Sequence, residues 1–269
     1  MKNTQMRGPI IDIVRHGEGQ NNVSGHAIPD PDLTRKGKKQ CRKLRDTYPH
    51  ISRVKLIVSS PLRRALHTAY IAFFSGADLP HPLHPHVVLL PELQENSARP
   101  GDTGSPLSAL VDEFGFRIDA SELMSGGGET WYHKGPGTAY FPSLPKVEER
   151  ARVARVWLRG RARELGDGDR LVVVTHGAFA HFLVQNFAGL LVGRGSGVWL
   201  NAGFRSFQFI DLEGDDPDAA LVELRDSRGR PATPWCELTD EARALQKSYA
   251  VDRLRRHEQE ALTAVARRD

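Results

Sequence analysis

The sequence predicts an α/β fold: a mostly parallel central sheet with helices on both faces. Three observations lead there. Short apolar runs at Pro9 to Val14, Val54 to Val58 and Leu171 to Val174 each end at a polar turn. The second and third turns lead directly into stretches with helical character, and the first precedes a helix that opens near Thr34. The chain has 269 residues, 39% hydrophobic and 26% charged, which is ordinary globular usage and enough for one large domain.

The elements follow in order. Pro9 to Val14 ends at Arg15-His16-Gly17, as a buried strand does where its carboxyl end opens into a loop. Thr34 is placed to N-cap a helix reaching Tyr48. Val54 to Val58 meets Ser59-Ser60-Pro61, and Leu62 to Phe74 follows as a helix with Pro61 at its first position. Pro80 to Gly137 is rich in Pro, Gly and His, has weak periodicity, and is expected to be an irregular cap insertion (about 80–137) that shapes a pocket. Lys146 to Leu165 carries the helical stripe Val147, Ala151, Ala154 and Leu158. Leu171 to Val174 is a β-branched run between the turn Gly166 to Asp169 and His176-Gly177, with a helix expected over Ala178 to Phe187. Phe204 to Asp211 and Ala220 to Leu224 flank Gly214-Asp215-Asp216 as an edge hairpin, and about 240–267 is a charged helical tail. No repeat divides the chain, so residues 1–269 are expected to form one domain.

Charge and cysteine usage narrow the function. The net charge is +4 and the pI about 9.2, but the basic excess in Arg35 to Arg45 and Arg150 to Arg163 is interleaved with apolar residues, as on solvated helix faces. Nucleic acid is therefore not the expected partner and ranks below metabolite chemistry. Cys41 and Cys236 stand far apart and match neither a disulfide framework nor a zinc site. Met1 to Arg7 is polar and no run of about 18 apolar residues occurs, so no membrane association is expected and the cytoplasm is the default location. Nothing in the sequence signals an oligomeric state. His81, His84 and His86 superficially form a metal tract, but Pro82 and Pro85 hold such a segment extended with its rings apart. No metal or cofactor is expected.

His16 and His176 each follow a strand and precede a glycine, so a parallel sheet projects both from one carboxyl edge. A neutral imidazole is a good nucleophile toward phosphorus, and a covalent intermediate splits one hard step into two easier ones. Arg15 would hold His16 neutral and grip phosphate oxygens bidentately. Arg64, in the helix after the second strand, offers a second guanidinium, with Arg63 as the competing neighbour. His176 at a helix start adds free backbone amides that favour a dianion. Either histidine alone is weak evidence; the pair is specific. Trp131, Tyr132 and His133 are equally compatible with pocket lining and with packing.

Arg15-His16-Gly17-Glu18 and Thr175-His176-Gly177 resemble the histidine phosphatase superfamily, also called phosphoglycerate mutase-like, over roughly residues 9 to 210. Asn22, Leu33-Thr34, Ser60 to Ala69, Gly128-Glu129-Thr130 and Asn201 to Ser206 agree in order and spacing. The resemblance implies a metal-independent phosphatase that hydrolyses the phosphate monoester of a small metabolite through a phosphohistidine. By it His16 is the phospho-acceptor, Arg15, Arg64 and His176 complete the phosphate pocket, and Asn22 and Gly177 add contacts. The family's proton donor is an acid after the Arg-bearing helix; Leu90-Pro91-Glu92-Leu93-Gln94-Glu95 offers two, of which Glu95 aligns better and Glu92 is the alternative. Phosphoglycerate mutase-type transfer and a non-catalytic phospho-ligand binding protein are the competing functions. The mutases' longer pattern after the first motif is missing, and the intact residue set speaks against loss of catalysis.

Overall fold

A computed structural model describes residues 8–25, 27–74, 86–126, 128–188, 190, 199–228 and 239–267. Its elements are β1 (Ile10–Arg15), α1 (Arg35–Thr47), β2 (Val54–Ser59), α2 (Arg63–Phe73), β3 (Val87–Leu89), α3 (Leu107–Phe114), β4 (Ile118–Asp119), α4 (Ser121–Gly126), α5 (Leu144–Ala162), β5 (Arg170–Thr175), α6 (Gly177–Leu183), β6 (Phe204–Phe209), β7 (Leu221–Glu223), α7 (Arg225–Arg228) and α8 (Asp240–Ala266). They build one seven-stranded sheet in the order β4-β3-β2-β5-β1-β6-β7. The first five strands of that order run parallel, and β6 and β7 are antiparallel additions at one edge.

Alternation along the strands sends side chains to two separate cores. Ile11, Ile13, Leu171 and Val173 pack with Val147, Ala151, Ala154 and Leu158 of α5, Phe179 and Leu183 of α6, and Ala250 and Leu254 of α8. Val14, Val172 and Val174 pack on the other face with Cys41 and Leu44 of α1, Leu66 and Ala69 of α2, and Leu110 of α3. The strands are therefore apolar on both faces. Asp12 and the terminal Arg15 are the exceptions in β1; Asp12, fully buried, accepts from Arg170 Nη1 with both oxygens at 3.0 Å and from the Tyr48 and Ser206 hydroxyls.

Three expectations need correction. The segment 80–137 is not irregular throughout: β3 and β4 extend the parallel sheet, and α3 and α4 flank it. Strands of three and two residues are too short for periodicity to register. Pro61 is not the first residue of α2; the helix starts at Arg63 behind Leu62, and Asp30 Oδ1 takes the Arg63 amide at 3.0 Å. α6 stops at Leu183, short of Phe187, and Gln185 then turns the chain with φ 51°. His81 and His84 lie outside the described residues; His86 donates through Nδ1 to the Phe116 carbonyl.

No helix among the described residues is long and apolar enough to cross a membrane. Thr34 does cap α1, its hydroxyl accepting from Gly37 N at 2.9 Å. A Cβ at Gly37 would lie 2.1 Å from the Glu18 carbonyl, so this glycine lets α1 press against the loop after β1.

Candidate active site

Strand register creates the site. Arg15 pairs with Thr175 across β1 and β5, so the next residue of each strand, His16 and His176, emerges side by side, with ring centroids 4.9 Å apart. Ser60, just past β2, is tied to the Val174 carbonyl and brings its hydroxyl 2.8 Å from His176 Nε2. Three strand ends thus meet at one point.

Hydrogen-bond partners fix the tautomers. His16 Nδ1 lies 2.6 Å from the Gly17 carbonyl, which only accepts, so Nδ1 carries the proton and the Nε2 lone pair is free. Arg64 Nε donates to that lone pair at 3.3 Å. Arg64 Nη2 reaches His176 Nδ1 at 3.1 Å and must donate, so a neutral His176 gives its Nε2 proton to Ser60. Burial, with Arg64 and Arg15 adding positive charge, pushes His16 well below the usual histidine range. Burial followed by Arg64 does the same to His176.

Arg64 is fully buried, and its remaining donors go to the Gly101 carbonyl at 2.5 Å and Asp102 Oδ1 at 2.8 Å. Asp102 also accepts from the Ser97 hydroxyl. Arg15 is 7% exposed, donates through Nη1 to the Trp199 carbonyl at 2.6 Å, and leaves Nε without a partner. Burial lowers its pKa to about 10, so it stays charged at neutral pH.

The acid loop is clamped from beneath. Lys134 donates to the carbonyls of Glu95, Ser97 and Asp102 at 2.8, 3.0 and 2.6 Å, using all three ammonium hydrogens. Burial lowers its pKa to about 7, with Arg150 contributing. Arg150, stacked 4.4 Å over the Phe179 ring, adds a bond to Asn96 Oδ1 at 2.8 Å. The Glu95 carboxylate accepts from the amides of Asn96, Ala178 and Phe179 at 3.0, 3.4 and 3.1 Å. The α6 amides of Ala178 and Phe179, expected from the sequence to be free for a dianion, thus donate to Glu95.

A cavity of about 440 Å³ opens over this cluster, and Arg15, His16, Asn22, Glu95 and Gly177 are in its wall. Arg64 and His176 are fully buried and outside that wall, supporting His16. Glu92 is also outside it, its carboxyl raised by burial. Arg63 faces away and pairs with Glu113 at 2.7 Å. Trp131 is fully buried in the core beneath Gly104, and neither it, Tyr132 nor His133 reaches the cavity.

Sequence reasoning missed Asp102, Lys134, Asn96, Arg253 and His257. Asp102 and Lys134 sit in the stretch treated as irregular, and Arg253 and His257 in a helix treated as a tail. No motif or spacing pointed to them. Asn201, whose side chain donates to the His16 carbonyl at 3.1 Å, lies in a fragment the resemblance includes.

Among curated proteins no sequence matches the chain. Among solved structures, the ecdysone phosphate phosphatase from Bombix mori in complex with tungstate aligns with a TM-score of 0.53 at 15% identity, over 86% of this chain and 96% of that one. The structure "Mycobacterial hydrolase 2" aligns with a TM-score of 0.51 at 20% identity, over 91% and 99%. Both likenesses are of fold. The model of the histidine phosphatase superfamily (branch 1) matches residues 11–97, the segment holding β1, the Arg15-His16-Gly17 loop, Arg64 and Glu95. Over that segment the chain is similar to the histidine phosphatase superfamily, and it shares its α/β fold with the two solved structures.

Proposed function

We propose that the chain is a metal-independent phosphatase that hydrolyses the phosphate monoester of a small metabolite by way of a phosphorylated His16. One observation carries this reading: a neutral His16 with Nδ1–H pinned on the Gly17 carbonyl presents its Nε2 lone pair beside Arg15 and Arg64. That is the protonation state an imidazole nucleophile needs. In the first step the P–N bond to Nε2 forms as the P–O bond to the leaving alcohol breaks. Gly17 accepts from the Nδ1–H of the cationic phosphoimidazole. Arg64 Nε, released from the lone pair, follows it to a phosphoryl oxygen, and Arg15 takes the equatorial charge. Asn22 and Gly177 in the wall add contacts, while His176 keeps Arg64 in place.

A protonated Glu95 gives its proton to the departing alkoxide. As carboxylate it then takes a proton from water, which attacks phosphorus, breaks the P–N bond and releases inorganic phosphate. The position of Glu95 in the cavity wall, with Glu92 outside it, favours Glu95 as the donor. The Bombix mori protein of the same fold is itself a phosphatase and holds tungstate, a tetrahedral oxyanion.

The test follows phosphate release from p-nitrophenyl phosphate and a panel of phosphometabolites with EDTA present, together with mass-spectrometric mapping of an acid-labile phosphoenzyme. His16→Ala should lose both turnover and label. Activity within severalfold of the parent, or label on another residue, would overturn the reading. Isomerised 3-phosphoglycerate without net phosphate release would assign a mutase.

A further inference from the structure

Asp102 is an acid to which the phosphate chemistry gives no part. It is buried, yet it stands in the wall of the cavity over His16, where a negative charge opposes an incoming phosphoryl group. Its Oδ1 accepts from Arg64 Nη2 at 2.8 Å and its Oδ2 from the Ser97 hydroxyl, while its carbonyl accepts from Lys134 Nζ at 2.6 Å. The loop is thereby fixed, and the carboxylate with it.

A guanidinium carries five N–H donors in one plane. In Arg64 four of them are engaged: Nε on His16 Nε2 at 3.3 Å, Nη1 on the Gly101 carbonyl at 2.5 Å, and Nη2 on both Asp102 Oδ1 and His176 Nδ1, the latter at 3.1 Å. The bonds to Gly101 and Asp102 set the plane in which Nε points at the nucleophile. Arg15 is the contrast. Among the described residues it has no ion pair, its Nη1 donates to a backbone carbonyl, and its Nε is unpartnered.

The two guanidiniums therefore grip an oxyanion unequally. Arg15 brings a charge that no paired carboxylate offsets, whereas the charge of Arg64 is already answered by Asp102. Both members of that pair are buried, so little solvent screens the carboxylate from a phosphate on the other side of the guanidinium. A hydrolase has use for such a limit. Once water has cleaved the phosphohistidine, inorganic phosphate is left among the same donors and has to leave, and product release is often the slow step.

We propose that Asp102 is a positioning residue acting through Arg64: it aims the guanidinium at His16 and competes with phosphate for it, keeping product affinity low enough for turnover. This rests on the phosphatase reading of the cavity. The effect of Asp102 passes through Arg64 and needs no contact with the reacting atoms.

Asp102→Asn keeps the shape and removes the charge. Calorimetry with inorganic phosphate, beside steady-state kinetics on p-nitrophenyl phosphate, then separates charge from fold. The variant should bind phosphate tighter by about tenfold or more, with KM falling and kcat falling about tenfold as release slows. A carboxylate that only supports the fold gives the opposite pattern, weaker phosphate and a higher KM. Ser97→Ala is the second variant: it keeps the charge but strips the carboxylate of a donor that shares it, so phosphate should bind about threefold more weakly. Unchanged or weakened phosphate binding by an Asp102→Asn protein with the parent's melting curve overturns the proposal and leaves the phosphatase reading standing. If that variant melts early, unchanged or tightened binding by Ser97→Ala overturns it instead. A parent that binds no phosphate overturns the two together.

Discussion

Lowering the pH from 7.5 to 5.0 should destabilise this protein strongly, because its buried histidines resist the proton that their unfolded counterparts accept. His181 is buried, donates through Nδ1 to the Asn186 carbonyl at 2.7 Å, and has its pKa lowered to about 4, burial being the main cause. With an unfolded value of about 6.5, the unfolded chain binds more protons than the folded one between those limits, so stability rises with pH there and is lost on acidification. For His181 alone the loss by pH 5.0 is about 2 kcal/mol. His16 and His176 are equally buried and shifted in the same direction, so they add to this loss. The His181 part alone is an appreciable share of a typical folding free energy of ~5–15 kcal/mol. The carboxylates whose pKa values are lowered, such as Glu113 and Glu260, titrate below this window. Urea unfolding at a series of pH values reads the effect directly, and His181→Asn should remove about 2 kcal/mol of the loss. A free energy constant within about 1 kcal/mol from pH 7.5 to 5.0 would refute the reasoning.

Lys134→Met leaves the carbonyls of Glu95, Ser97 and Asp102 without their donor; partly offset by relief of a buried charge, this should cost about 2–4 kcal/mol in denaturant unfolding. The turnover number should fall about tenfold, since the acid loop loses its clamp; a variant as stable and active as the parent would show the clamp to be idle. Gly104→Ala would place a Cβ 2.0 Å from the buried Trp131 ring and should destabilise by about 1–3 kcal/mol in a thermal melt, whereas an unchanged melting temperature would mean the indole moves freely. Glu95→Gln should slow alkyl phosphate hydrolysis by about a hundredfold or more and p-nitrophenyl phosphate less, with a burst of nitrophenolate. Equal losses without a burst would make Glu95 a binding residue, and near-normal rates would move the donor role to Glu92.

The sheet was legible where its strands were long. Leu171 to Val174 and Pro9 to Val14 are apolar runs that end in polar turns, and from the parallel arrangement alone His16 and His176 had to share an edge. The pieces that escaped are those without a local signature. Three residues of β3 and two of β4 carry no period, and they are strands because β2 already presents its edge to them. Asp102 and Lys134 escaped for another reason: each acts on groups far along the chain, Arg64 at one end and the Glu95 loop at the other, and such closure depends on three-dimensional approach. The difference between Arg63 and Arg64 is likewise a matter of helix phase, decided when Glu113 and Asp30 take the outward residue.

α8 joins the pocket from outside the sheet. Glu260 anchors it to Arg99 beside the acid loop, and Ala250 and Leu254 seat it on the core. The residues proposed to perform bond breaking lie on the strand ends and in the loops between Arg15 and His176, whereas this wall is contributed by a later segment. During synthesis the cluster of His16, Arg64 and His176 can therefore assemble on the ribosome before this wall emerges, leaving the cavity briefly open on that side. In evolution the same division makes α8 a part that can drift: mutations there would reshape the cavity wall while the strand ends beneath it stay as they are.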